Sequence, residues 1–271
     1  MQKNQKTNNK MKKSNTIAML ATYQPRFTKI VWDAVMSLAP QVNCIYITIN
    51  YPYTESEKYI FEKSAMGVEE QTRTPVILKW LKEDIGDLAK FWPLVNVNFR
   101  EDKTILICDD DLIYPGDYVA RITEWIDGGE KETNHPYLSF GGKKLKSELP
   151  YNTWKASWQK RISVFKGIEL AEEIDIPLTG VTAFKRGSMA RKLNYDLRFR
   201  NNGDLLMAKW ARQSGATLIC PAFAEGWLKY NSRMGNKQTI WDDMNASPEI
   251  QERTADLATE VMQTPIIEST P

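Results

Sequence analysis

The sequence predicts a single α/β domain in which a mixed, mainly parallel sheet is flanked by helices. Three observations lead there. Short apolar runs rich in β-branched residues alternate with stretches of helical period. The 271 residues are enough to bury one large core with tails to spare. No uninterrupted apolar stretch approaches the ~20 residues of a membrane span, so the chain is expected to be soluble or at most to touch a membrane surface.

The elements follow in order. TIAMLATY (Thr16–Tyr23) reads as a strand, and Phe27, Ile30, Val31, Ala34, Val35 and Leu38 then repeat at helical spacing until Pro40 stops them. VNCIYITIN (Val42–Asn50) is a second strand, which completes a βαβ unit. PVILKW (Pro75–Trp80) reads as a strand, EDIGDLAKFWPL (Glu83–Leu94) as a polar helical stretch, TILIC (Thr104–Cys108) as a strand and GDYVARITEWI (Gly116–Ile126) as a helix. Such alternation implies a mainly parallel sheet covered on both faces.

The second half is less regular. YLSFGG (Tyr137–Gly142) reads as a strand and DIPLTGVTAFKRG (Asp175–Gly187) as a loop leading into one. GDLLMAKWARQSG (Gly203–Gly215) is an amphipathic helix closed by glycine, and TLICPA (Thr217–Ala222) is another strand. SPEIQERTADLATEVMQ (Ser247–Gln263) carries Ser at a cap and Pro at the first helical position. The expected organisation is a flexible basic extension at 1–15, the α/β domain at 16–232 and a polar C-terminal segment with a helix at 233–271.

Cys44, Cys108 and Cys220 each lie in an apolar run. An odd, scattered set suits neither a disulfide framework nor a zinc site, and no apolar signal core follows the basic N-terminus, so a cytoplasmic setting is expected. Positive charge is local. Residues 1–13 hold five lysines and no acid, and Lys143–Lys166 hold seven basic residues against Glu148. That asymmetry suggests an anionic partner for one face.

Asp109, Asp110 and Asp111 follow TILIC directly, at the sheet edge where ligands of parallel α/β folds bind. Three adjacent carboxylates repel one another unless a cation offsets them. Strand alternation sends Asp109 and Asp111 to one face and Asp110 to the other. Magnesium or manganese suits two converging carboxylates, since hard cations take oxygen ligands and fill their remaining positions with water and phosphates. The alternative is a solvated acidic loop. An EF-hand calcium loop is excluded by the spacing of glycine and glutamate.

Taken in order, the segments Ala21–Asn50, Lys82–Leu94, Thr104–Val119 and Asn201–Gly215 resemble those of a GT-A-fold glycosyltransferase of the family-2-like kind. The resemblance spans Thr16 to Pro221. It implies a Rossmann-like GT-A domain that takes a sugar from a nucleotide-diphosphate donor, with a lean towards UDP, and passes it with inversion to an acceptor hydroxyl. It implies that Thr22, Tyr23, Arg26 and Asn50 hold the nucleotide and that Asp84, Gly86 and Lys90 seat base and phosphates. Asp109 or Asp110 would approach ribose and sugar, Asp111 with Asp109 would hold Mn2+ or Mg2+, and Asp204 would be the catalytic base. Asp204 is equally well placed as an ordinary helix-start aspartate. The chain departs from the family's pattern in having Gly203, not a second acid, before Asp204, and in having His135 as its only histidine.

KKLKSELPYNTWKASWQKRISVFK (Lys143–Lys166) interleaves cations with Tyr151, Trp154, Trp158 and Phe165. Trp154, Trp158 and Ile162 are four apart, which fits one apolar helix face. It also fits a surface for an anionic acceptor, either a bacterial glycan or a modified base in DNA. Two other readings stand beside glycosyl transfer. One is a haloacid-dehalogenase-like phosphohydrolase with Asp109 as nucleophile, and the other is a non-catalytic nucleotide-sugar binding module.

Overall fold

The protein's structure, a computed structural model, describes residues 15–26, 29–128, 136–190, 193–234 and 247–265. The first half comprises β1 (Thr16–Thr22), α1 (Ile30–Leu38), β2 (Cys44–Ile49), α2 (Glu55–Thr72), β3 (Val76–Trp80), α3 (Trp92–Asn96) and β4 (Thr104–Cys108). Its four strands run parallel in the order β3-β2-β1-β4. β1 and β4 are buried almost throughout, which is why their sequences are continuous apolar runs rather than alternating ones.

The second half adds β5 (Leu112–Ile113), α4 (Tyr118–Gly128), β6 (Tyr137–Ser139), β7 (Gly142–Leu145), β8 (Trp158–Ile162), β9 (Glu172–Glu173), β10 (Ile176–Pro177), β11 (Val181–Lys185), α5 (Gly203–Gln213), β12 (Leu218–Cys220) and β13 (Lys229–Tyr230). The main sheet continues β4-β11-β6-β12-β9, and β11 runs antiparallel to both of its neighbours. The fold is therefore a single α/β domain with a mixed, mainly parallel sheet, as expected. β10, β7 and β8 form a small second sheet, and β5 pairs with β13.

Three stretches differ from the sequence reading. α2 was not anticipated, because its buried stripe is only Phe61, Ala65 and Val68 among polar residues. It is fixed by a capping box in which Thr54 accepts from the Glu57 amide and the Glu57 carboxylate accepts from the Thr54 amide. The basic stretch is not a helix. Lys143 pairs with Arg161 and Leu145 with Trp158 across the β7–β8 ladder, and a short 3-10 turn at Lys155–Ser157 lies between Trp154 and Trp158. The stretch Glu83–Leu94 is likewise tighter than an α-helix, a 3-10 segment at Gly86–Phe91 leading into the short α3.

The last helix, Pro248–Gln263, packs its buried Ala255, Leu257, Ala258 and Val261 into the same core as α5. All three cysteines are free. Among the described residues no helix is long and apolar enough to cross a membrane. The extension 1–14, Phe27 and His135 lie outside the described residues.

Candidate functional site

The parallel strands β1, β2 and β4 end at one edge, and a cavity of about 790 Å³ opens there. β4 stops at Cys108 and the chain turns at once, so strand alternation is not continued into the acidic triplet. The Asp109 amide donates to the Gly180 carbonyl at 3.2 Å and to the Tyr114 hydroxyl at 2.8 Å, and that hydroxyl donates on to Gly180 O at 2.8 Å. Register explains the contact. Val181 opposes Cys108 in the β11–β4 pair, which sets Gly180 beside Asp109. A Cβ on Gly180 would stand 1.9 Å from Asp109 Oδ2, so only glycine leaves room for that carboxylate.

The turn distributes the three carboxylates over two cations. Asp110 and Asp111 share Arg26, which forms a close ion pair with Asp110 and reaches Asp111 at 3.2 Å, while Asp109 pairs with Lys90 at 2.5 Å. Burial alone would lower the Arg26 pKa, but Asp110 and Asp111 outweigh it and keep the guanidinium charged. The same holds for Lys90, where Asp109 and then Asp87 more than offset burial. Asp110 is 3% exposed, and burial raises its carboxyl above the ordinary range against the pull of Arg26. Burial, reinforced by Asp109 and Asp110, pushes Asp111 up to about 7.

The remaining predicted residues converge on the same cavity. The Asn50 amide group donates to Gly86 O at 2.7 Å, and the Gly86 N–H donates to Asp84 at 2.7 Å. Asp84 also pairs with Arg200 at 2.8 Å. The Tyr23 ring lies 5.0 Å from the Arg26 guanidinium carbon, and Thr22 ends β1 beneath it with its hydroxyl buried. Asp204 stands in the first turn of α5, where its Oδ1 accepts from both the backbone N–H and the hydroxyl of Thr179 at 2.9 Å. Thus Thr22, Tyr23, Arg26, Asn50, Asp84, Gly86, Lys90, Asp109, Asp110, Asp111 and Asp204 all line one cavity.

The sequence reading missed Asp87 and Thr179, and it had Lys143 only within the basic stretch; all three line the cavity too. Asp87 accepts from the Gly203 amide at 2.7 Å, and a Cβ on Gly203 would stand 2.7 Å from the same oxygen. Gly203 is thus what admits Asp87. Burial raises Asp87 to about 6, with Asp204 adding and Lys90 opposing. The signal for Asp87 was a second acid three residues after Asp84, one helical turn on. Lys143 lies over the rings of Trp154 and Trp158 at 5.2 and 5.7 Å, and burial lowers its pKa against the attraction of Asp204.

Among the described residues no group of three or more His, Cys, Asp or Glu is arranged to hold a metal ion. The chemistry of the cavity nevertheless suits a hard cation. Asp84, Asp87, Asp109, Asp110, Asp111 and Asp204 line it against Arg26, Lys90 and Lys143, and Asp110 Oδ2 is buried without a hydrogen-bond partner. An excess of oxygen-bearing negative charge is what such an ion offsets.

Neither a comparison with protein-family profiles nor one with curated protein sequences finds a match. Among solved structures, 4-diphosphocytidyl-2C-methyl-D-erythritol synthase is 15% identical, with 67% of this chain and 80% of that one covered at a TM-score of 0.33. HddC from Yersinia pseudotuberculosis is 12% identical, with 68% and 83% covered at a TM-score of 0.38.

Proposed function

We propose that the chain is a metal-dependent glycosyltransferase that moves a sugar from a nucleotide diphosphate to an acceptor hydroxyl with inversion. One observation carries this reading: residues that the resemblance implies, from four separated segments, line a single cavity at the C-terminal edge of the parallel strands. In it, Thr22, Tyr23, Arg26 and Asn50 hold the nucleotide and Asp84, Gly86 and Lys90 seat its base and phosphates. Asp109 and Asp111 would hold Mn2+ or Mg2+, with Asp109 or Asp110 near ribose and sugar. When bound, the ion stabilises the charge that develops on the departing diphosphate. Arg26 and Lys90 fix the acidic turn so that its oxygens are ordered before the donor arrives, and Asp204 accepts the proton of the attacking hydroxyl.

The cavity's negative excess supports metal dependence, since a bare diphosphate would be repelled from it. Free cysteines support a cytoplasmic setting. Lys143 and the β7–β8 hairpin support an anionic acceptor, a bacterial glycan or a modified base in DNA. Steep loss of acceptor binding with salt, seen with duplex DNA and not with glycans, assigns DNA as the acceptor.

The test is thermal stability with UDP-, GDP- and dTDP-sugars, each with and without manganese. A ligand that binds the folded form raises the melting temperature. The expected result is a rise with a UDP-sugar plus manganese, lost in the presence of EDTA and in Asp111→Ala. No rise with any sugar nucleotide, or a phosphoaspartate at Asp109 detected by mass spectrometry, overturns the reading.

A further inference from the structure

Thr179 lies between β10 and β11 and is 2% exposed. Two of its donors grip one oxygen of Asp204, the N–H and the hydroxyl each reaching Oδ1 at 2.9 Å. The other oxygen, Oδ2, stands 3.5 Å from Lys143 Nζ. Charge-assisted hydrogen bonds between ammonium and carboxylate close to about 2.7–2.9 Å, so this contact is a long one. Lys143 is itself retained on the faces of Trp154 and Trp158, which attract a cation. Among the described residues, Lys143 from β7 and Lys90 and Asp87 from the Gly86–Phe91 turn are charged groups that face Asp204.

We propose that Thr179 is a positioning residue that keeps Asp204 from collapsing onto Lys143, so that Oδ2 remains free to take a proton. The proposal rests on Asp204 being the base. As the acceptor oxygen bonds to the sugar carbon, its proton passes to Oδ2, and the carbon–oxygen bond to the diphosphate breaks with its electron pair leaving on the diphosphate. Without the Thr179 hydroxyl the carboxylate is free to rotate and close its contact with Lys143, so that Oδ2 is occupied by the ammonium. The hydroxyl also accepts from Lys90 Nζ at 3.4 Å, so an effect relayed through Lys90 and Asp109 must be separable.

Thr179→Val keeps the shape and the backbone N–H and removes the hydroxyl; Thr179→Ser restores it. For the valine variant we expect kcat to fall about tenfold to a hundredfold, the loss typical of a hydrogen bond to a charged group. Donor KM and the stabilisation by donor plus manganese should stay at wild-type values, and the serine variant should recover most of kcat. Wild-type kcat in the valine variant overturns the positioning role alone. So does a loss of donor stabilisation in that variant, which would trace the effect to Lys90. Should the valine variant not fold, Thr179→Ala is read the same way. If wild-type protein neither binds donor nor transfers sugar, the glycosyltransferase reading fails first and the positioning role falls with it.

Discussion

A carboxyl group withdrawn from water stays neutral to a higher pH unless its surroundings favour the charge, and Asp87 shows that competition most plainly. Burial raises it from an ordinary 3.8 to about 6, although Lys90 and the Gly203 amide pull the other way. A raised folded pKa means that the folded state holds this proton more tightly than the unfolded chain. The group's contribution to stability is therefore complete below pH 3.8 and is lost as pH rises through about 6. The interval corresponds to about 3 kcal/mol. Asp87→Asn keeps an acceptor for the Gly203 amide and removes the titration. Denaturant unfolding of both proteins between pH 4 and pH 7 should show wild type losing about 3 kcal/mol relative to the variant as pH rises to about 6, with no further change above it. A difference that grows in favour of wild type with rising pH would show that Asp87 is held as a paired carboxylate.

Between residues and fold, the site depends on where strands end and what approaches them. The β11–β4 register sets Gly180 against Asp109, and a Cβ there would stand 1.9 Å from Oδ2. In Gly180→Ala the obstacle is the end of a side chain, so Asp109 should rotate away from Lys90 while the sheet survives. The expected result is a folded protein without the rise in melting temperature on adding sugar nucleotide and manganese. Thr54→Ala is the contrast. It removes the cap of α2, none of whose own residues lines the cavity, and should cost about 1 kcal/mol of stability while the donor response persists. Equal loss of response in both variants would detach the acidic turn from donor binding. The same contacts explain what the sequence disclosed. β1 and β4 were legible because burial on both faces leaves continuous apolar runs, and Asp109 to Asp111 because they directly follow one. α2 was hidden by the thinness of its Phe61, Ala65 and Val68 stripe. Trp154, Trp158 and Ile162 have helical spacing, but pairing of β8 with β7 overrides it, a non-local choice that local periodicity does not encode. Thr179 carries no motif, and its role comes only from the loop that brings it to α5.

At the scale of the whole molecule, the last helix joins parts of the site that are far apart in the chain. The Thr254 hydroxyl donates to Asn202 Oδ1 at 3.1 Å just before α5, and Glu260 pairs with Lys209 and Arg198 at 2.8 Å. On its other flank, the Trp154 N–H donates to Gln251 O at 3.2 Å and the Tyr151 N–H to Thr259 Oγ1 at 3.1 Å. The helix thus braces the start of α5, which carries Asp204, against the Trp154 turn on which Lys143 rests. Its apolar face belongs to the common core, so the helix should open together with α5 rather than alone. Leu257→Ala opens a cavity in that face and should lower stability by about 2–5 kcal/mol. Native-state hydrogen exchange distinguishes a brace from an appendage, because amides that open only with the whole molecule all report the global free energy. In Leu257→Ala, protection should drop by the same amount in α5 as in the last helix. If the helix alone lost protection while α5 kept its own, Asp204 would be held without the brace, and the polar C-terminal segment would be dispensable to the site.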